Sequence, residues 1–222
     1  EIGELVGPTN AIFHVDAVQG LGNITLDPEN DQIDLLSSSA HKIHGPKLLG
    51  FLYKSDRIEL SNLLYGGEQE KKRRAGTENV AGIAAYGALV QEIDQENLVA
   101  QNQVKYREFQ EYLVNYLQEQ GIDFAINGGI DDQHSHHVLN LWLKGVNTFV
   151  MQTNLDLAGF MVSGGSACTA GSLEPSHVLE AMFGDSPRVS ESIRISFAND
   201  NTLDQVQKLA AEIVQIVKRV RK

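Results

Sequence analysis

The sequence predicts an α/β chain whose second half is a smaller α+β unit. Three observations carry that reading. Short apolar runs bounded by turn residues recur, as in Ile33–Asp34–Leu35–Leu36 and Leu48–Leu49–Gly50–Phe51–Leu52–Tyr53, and such runs suit buried strands. Longer stretches, from Leu98 to Gln120 and from Leu203 to Val220, repeat apolar residues at helical spacing. Strand, loop and helix signals alternate along the whole chain, with a break expected near Asp94–Glu96 that divides residues 1–95 from 96–222.

The first strand signal is Ile12–Phe13–His14–Val15, which ends in Asp16 and is followed at once by Val18–Gln19–Gly20. An acid there is placed to point into a sheet-edge cleft, or else to cap a turn. Gly22 to Asn30 reads as a loop, and two buried strands are expected on either side of Lys42. Tyr65 to Thr77 reads as a polar loop whose four cations, Lys71–Lys72–Arg73–Arg74, form a solvated face opposed by Glu68 and Glu70. Asn79 to Ile93 is a helix whose Ala81, Gly82, Ala84, Ala85 and Gly87 suggest close packing. In the Leu98–Gln120 helix the expected apolar face is Val99, Val104, Phe109, Leu113, Tyr116 and Leu117, and Gly121 stops it.

Phe124–Ala125–Ile126 and a turn at Asn127–Gly128–Gly129 open the second half. His134, His136 and His137 lead into the strand Val138 to Leu143. They read as exposed, because no acid or cysteine is spaced to complete a metal site with them. A helix from Phe149 to Phe160 precedes a glycine–serine loop, Ser163 to Ser172, that holds Cys168. Glu174–Pro175–Ser176–His177 starts another helix, Ser192 to Phe197 is a strand carrying Arg194, and a basic-ended helix closes the chain.

Composition bounds the function. The 222 residues suffice for one large or two modest domains. Lys and Arg total 18 against 29 Asp and Glu, a formal net charge of −11 that argues against direct nucleic-acid binding. The lone cysteine excludes an internal disulfide and a cysteine-rich zinc site; it fits a reducing compartment, and a cytoplasmic location is expected. The opening Glu1–Ile2–Gly3–Glu4 is acidic, so no leader is expected there, and without an initiator methionine the chain is expected to be a fragment. The longest uncharged stretch, Asn79 to Gln91, is too short and too rich in Gly and Ala to span a bilayer.

The stretch Ser37–Ser38–Ser39–Ala40–His41–Lys42–Ile43–His44–Gly45–Pro46–Lys47 joins two strand candidates. It presents a lysine and two histidines at a strand end, the sheet edge where α/β proteins bind ligands. Alone, it reads equally as a polar loop with a solvated lysine. Yet a lysine there can form a Schiff base with a carbonyl cofactor, and serine hydroxyls can hold a phosphate. Pyridoxal phosphate needs a lysine, an acid beside the ring nitrogen and donors for its phosphate; an amino-acid substrate adds an arginine. Lys42, Asp16, Ser39, His41 and Arg194 supply those residue types. Cys168 adds a nucleophile, or is a small buried hydrophobe, a role for which its Ser/Gly-rich loop is poor material.

Six stretches together resemble the cysteine desulfurases of NifS/IscS type, a branch of the class-V aminotransferase family with PLP fold type I. They are Val15–Asp16–Ala17–Val18–Gln19, Ser39 to Lys47, Arg74–Ala75–Gly76–Thr77, Gly164–Gly165–Ser166–Ala167–Cys168, Glu174 to Leu179 and Ser192 to Phe197. They occur in family order over essentially the whole chain. The resemblance implies the C-terminal part of a fold-type-I large domain, with a mixed, mostly parallel sheet, followed by a small C-terminal domain. It implies that Lys42 holds the cofactor as a Schiff base, Asp16 pairs with the pyridine nitrogen and Gln19 with the ring hydroxyl. Ser39 and His41 bind the phosphate, with Thr77 serving the phosphate site of a second subunit in a homodimer. Arg194 grips the carboxylate of L-cysteine, and Cys168 takes the sulfur as a persulfide, leaving L-alanine. Sulfur-acceptor proteins are the implied partners, in iron–sulfur cluster assembly, tRNA thiolation or thiamine synthesis. A related PLP lyase acting on selenocysteine and a non-catalytic sulfur-relay or scaffold protein are the alternatives. The family's N-terminal part carries a ring-stacking histidine, a phosphate-cradling helix and an asparagine beside the ring, and these lie outside the sequence.

Overall fold

Strand β2 (Leu35–Ser37) is the centre of the first sheet, flanked by β1 (His14–Asp16) and β3 (Leu52–Lys54). β1 runs parallel to β2 with Asp16 opposite Ser37, and β3 runs antiparallel with Leu52 opposite Ser37. The sheet is therefore mixed, with one pairing of each kind. The computed structural model describes residues 1–165 and 176–222. The chain divides into two compact units, Glu1–Gln101 and Asn102–Lys222, the division falling within helix α4 (Leu98–Glu119).

In the first unit β2 is fixed at both ends by buried polar residues. At its entry Asp34 is only 2% exposed and accepts from the Phe13 amide at 2.8 Å, while the Arg57 guanidinium grips both carboxylate oxygens. Beyond its exit the Ser38 hydroxyl meets the Tyr86 hydroxyl at 2.7 Å, in a buried contact 48 residues apart in sequence. Tyr86 belongs to helix α3 (Val80–Gln95), capped by the Asn79 side chain on the Gly82 amide. Its lower turns pack Tyr86, Leu89, Val90 and Ile93 against Ala40 and Ile43. So α3 holds the lysine-bearing turn onto the end of the sheet. A short helix α1 (Ile2–Val6) precedes β1, and a four-residue turn, α2 (Gln69–Lys72), lies between β3 and α3.

Several expectations change here. The run Leu48 to Tyr53 is not a buried strand: pairing begins only at Leu52, and Leu48, Phe51 and Leu52 are exposed. The cause is local. Leu48 sits in the left-handed region with φ of 61°, and the chain then passes so close to Ser38 that a Cβ on Gly50 would lie 2.3 Å from the Ser38 carbonyl oxygen. In α3 only Gly82 of the five small residues is buried, because the packed stripe is the one through Tyr86. Of the basic run, Lys72 pairs with Glu68 at 2.8 Å, an exposed ion pair worth little.

The second unit is built on an antiparallel sheet in the order β4 (Phe124–Ile126), β5 (Val138–Leu143), β6 (Ser192–Ser196). Strict alternation along β5 buries Leu139, Leu141 and Leu143 on one face. There they join Ile193 and Ile195 with Tyr106, Phe109, Leu113 and Leu117 of α4 in one core. Each fully buried leucine contributes roughly 1.5–3 kcal/mol. Val104 is exposed and Tyr106 takes its place, since the α4 stripe runs through 106, 109, 113 and 117. Helix α5 (Thr148–Leu157) adds Met151 and Leu155 to the core. Helix α7 (Leu203–Val220) begins with a capping box between Thr202 and Gln205 and adds the row from Val206 to Val217. Helix α6 (His177–Phe183) is capped by Ser176. The greater share of the buried core thus lies in this unit.

Burial works to raise the Asp34 pKa, but the Phe13 amide, Arg57 and Ser55 outweigh it and hold the carboxyl below the usual range. A depressed carboxyl lends stability that is present above the ordinary carboxylate pKa and lost as pH falls through the depressed value. Arg57→Ala is therefore expected to cost about 3 kcal/mol near neutral pH and to move acid unfolding to higher pH, read by circular dichroism across a pH series. Tyr86→Phe leaves the buried Ser38 hydroxyl without its partner and is expected to cost about 1 kcal/mol in denaturant unfolding.

Candidate functional site

The first unit brings two parallel strands to the same edge, each ending in chemistry. β1 ends at Asp16, whose Oδ1 accepts from the Val18 amide at 3.0 Å, so that the carboxylate is partly held and otherwise exposed. Across from it, His14 Nε2 meets Ser37 Oγ at 3.1 Å. β2 runs out through Ser38 and Ser39 into a 3-10 turn, Ala40–Ile43. The turn is locked by the Ala40 amide on the Leu49 carbonyl at 2.9 Å and the Gly45 amide on the Ala40 carbonyl at 2.8 Å. Its apolar members, Ala40 and Ile43, are buried, which leaves His41 and Lys42 facing outward. Gly45 lies close enough to Ala40 and Leu89 that a Cβ would meet the Ala40 oxygen at 2.9 Å.

Lys42 is half-buried, and its ammonium has no hydrogen-bond or ion-pair partner among the described residues. Such an amine is available for condensation with a carbonyl. Close by in the chain, Ser39 Oγ and His41 Nδ1 are 2.8 Å apart. This pair offers an outward donor in either tautomer. If Nδ1 accepts the serine proton, Nε2–H is free; if Nδ1–H donates, the serine hydroxyl is free. Gln19, exposed just past Asp16, has no side-chain partner among the described residues. Asp16 and Gln19 thus stand at and just past the carboxyl end of β1, and Ser39, His41 and Lys42 just past that of its parallel neighbour β2.

Thr77 lies elsewhere in the unit, exposed on the Arg74–Gly76 loop. It lines a groove of about 1570 Å³ together with Leu48, Phe51, Leu60, Leu63 and Ile83. Lys42 is not part of that groove.

Arg194 belongs to the second unit. Its backbone is paired on one side with Asn140 of β5 and on the other with Ser163, whose amide donates to the Arg194 carbonyl at 3.0 Å. Its Nε is buried without a partner among the described residues. Burial lowers the pKa of His137, and the Arg194 charge lowers it further. Cys168, Ser166 and the Glu174–Pro175 pair lie outside the described residues.

The three histidines before β5 do not share one fate. His134 is exposed and 2.6 Å from Asp131, and His137 meets Ser135 Oγ at 2.7 Å. His136 is buried, contrary to expectation, because Gln110 and Arg107 of α4 enclose its two ring nitrogens at 3.0 and 3.2 Å. Burial and the Arg107 charge keep its pKa low. Sequence reasoning also missed Tyr86 and the carboxamide of Asn140. The signal for Tyr86 was its being the one aromatic residue in a small-residue helix.

A family profile, Aminotransferase class-V, matches residues 1–209. IscS 1 of Bacillus subtilis (strain 168), a putative cysteine desulfurase, is 50% identical over 222 residues, covering 99% of this chain and 58% of that protein. The cysteine desulfurase IscS of Clostridium botulinum (strain Hall) is 35% identical, covering 100% of this chain and 55% of its own length. A solved NifS-like protein superposes with a TM-score of 0.83 at 30% identity, over 98% of this chain and 56% of that one. The chain thus spans rather more than half the length of the relatives it matches. With a lysine turn at the carboxyl edge of a mixed α/β sheet and a profile match over nearly its full length, the chain belongs to the class-V aminotransferase family, with the PLP type-I fold.

Proposed function

We propose that the intact protein is a pyridoxal-phosphate-dependent cysteine desulfurase that releases L-alanine and leaves a persulfide on Cys168. The single observation that carries this reading is the Lys42 amine, without a partner among the described residues, in the turn that follows β2, with Asp16 closing the adjacent parallel strand β1. That donor set fits the cofactor. Lys42 would hold it covalently, Asp16 would face its ring nitrogen, Gln19 its hydroxyl, and the Ser39–His41 pair would donate to its phosphate. When bound, the cofactor supplies an electron sink that makes the substrate's carbon–sulfur bond breakable.

This chain's own residues do the rest. Arg194 anchors the substrate carboxylate. Lys42, once free of the cofactor, is a general base for the substrate α-carbon proton. The Cys168 thiolate attacks the substrate sulfur, a sulfur–sulfur bond forms as the carbon–sulfur bond breaks, and the bonding pair leaves with carbon. Protonation of that carbon gives alanine, and the persulfide carries the sulfur to an acceptor protein. L-cysteine plus a thiol thus becomes L-alanine plus a persulfide, with no external oxidant.

In this reading residues 1–95 are part of the cofactor-binding domain and residues 96–222 the small domain that carries the cysteine loop. The intact protein is a homodimer in the cytoplasm, and Thr77 donates to the phosphate in the partner subunit's site. The exposed position of Thr77 on a groove that Lys71, Arg73 and Arg74 also line supports that role.

Two measurements on the intact protein test this. Lys42→Ala is expected to abolish cofactor absorption beyond the protein band, whereas Cys168→Ala keeps it and stops sulfide release from cysteine. Normal sulfide release by Cys168→Ala would remove Cys168 from the role of nucleophile. Sizing is expected to give a dimer, and Thr77→Ala to weaken cofactor retention by about tenfold for one lost charge-assisted hydrogen bond. A monomer that retains the cofactor would overturn the shared-site reading.

A further inference from the structure

We infer that Asn140 is a second donor to the substrate carboxylate, standing beside Arg194 and aimed by a hydrogen-bond relay through Asn127, Ser192 and the Arg188 carbonyl. The inference rests on the reading of Arg194 as the carboxylate anchor and adds to it a residue that specifies anionic amino acids.

The placement comes from strand register. Asn140 and Arg194 are directly opposite in the β5–β6 pairing, so their side chains lie on one face of the sheet. Asn127 continues β4 and donates its amide to the Asn140 carbonyl at 2.9 Å, which extends the row across a third strand. The opposite face is the one packed with Leu139, Leu141, Ile193 and Ile195. Asn127, Asn140 and Arg194 therefore form a polar row on the face left free by the core.

Proton counting fixes which way the amides point. Ser192 is fully buried and its hydroxyl lies 2.6 Å from the Arg188 carbonyl oxygen, which can only accept. The single serine proton is therefore used there. Ser192 Oγ must accept from whatever else touches it, and that is Asn127 Nδ2 at 2.8 Å. This assigns the Asn127 carboxamide with its nitrogen toward Ser192 and its Oδ1 buried without a partner among the described residues. The second proton of the same nitrogen goes to Asn140 Oδ1, also at 2.8 Å. Asn140 accordingly spends its oxygen on Asn127. Its Nδ2, a donor with two protons, has no acceptor among the described residues.

The result is an unspent amide donor next to a guanidinium whose Nε is buried and unpartnered. An amide held by its oxygen and a guanidinium, opposite each other on one face of neighbouring strands, suit the two oxygens of a carboxylate better than a neutral or cationic group. Turning the Asn140 amide would set its oxygen against the incoming anion, and the relay to Ser192 prevents that turn. The row thus confers preference for a ligand with a carboxylate over the same ligand without one.

The test uses the full-length, cofactor-loaded protein and two ligands with no sulfur to transfer, L-alanine and ethylamine, which differ only by the carboxylate. Asn140→Asp replaces the donor with an oxygen of nearly the same shape. By calorimetry it is expected to weaken L-alanine binding by about tenfold or more, to leave ethylamine binding unchanged, and to raise KM for L-cysteine more than it lowers kcat. Asn127→Asp removes the relay's donor and is expected to turn the Asn140 nitrogen toward itself, with the same pattern of loss. It stands in if Asn140→Asp does not fold. Unchanged L-alanine binding in these variants, or equal weakening of both ligands, overturns the inference while Arg194 keeps its role. Unchanged L-alanine binding in Arg194→Gln instead removes the anchor itself, and the inference with it.

Discussion

The first unit depends on the way a three-residue strand is pinned at both ends. β2 has neighbours on each side, yet its three-residue pairing alone is too short to fix the turn that follows it. Asp34 and Ser38 supply the missing constraint. A buried carboxylate with an arginine, an amide and a hydroxyl on it cannot slide by one residue without stranding charge in the interior. A buried hydroxyl that reaches Tyr86 ties the strand's exit to a helix far along the chain. The turn with His41 and Lys42, next in the chain, inherits its position from those two clamps.

The second unit reaches precision by a different route. Its sheet is antiparallel and its alternation is strict, so one face is spent on the core and the other is left for polar residues. Arg194 is placed by two backbone partners, Asn140 and Ser163, and its guanidinium has no hydrogen bond or ion pair among the described residues. A long, rotamer-rich side chain is thereby presented from a rigid base with its charge unspent. The same logic applies to Lys42: its neighbours Ala40 and Ile43 carry the packing, and its amine has no partner among the described residues.

Much of this was legible in the chain itself. Alternation gave β5, helical spacing gave α4 and α7, and the small hydroxyl run before Lys42 located the turn at a strand end. Residue chemistry alone marked Asp16 and Arg194 as candidates. The rest depends on partners remote in sequence. Tyr86 is an ordinary aromatic until it meets Ser38, and His136 looks exposed until α4 closes over it. Leu48 to Tyr53 looked like one strand because local hydrophobicity does not register a left-handed residue or a carbonyl in the way. Asn127 read only as part of a turn, and Asn140 went unremarked, because a hydrogen-bond relay is a property of three strands in register, not of any one segment.

Gly50 bears on how this sequence can drift. No side chain fits there, since even a methyl would enter the Ser38 carbonyl, so every coding change at that glycine disturbs the residue that leads into the lysine turn. Two positions earlier the reverse holds: Leu48 is a bulky residue in a conformation that glycine or asparagine adopts more readily, and its side chain contacts solvent. A mutational library built around Lys42 would find its permissive and forbidden sites adjacent, with Leu48 tolerant and Gly50 closed. A scan that treated the whole Gly45–Gly50 bend as one surface loop would average the two and miss both.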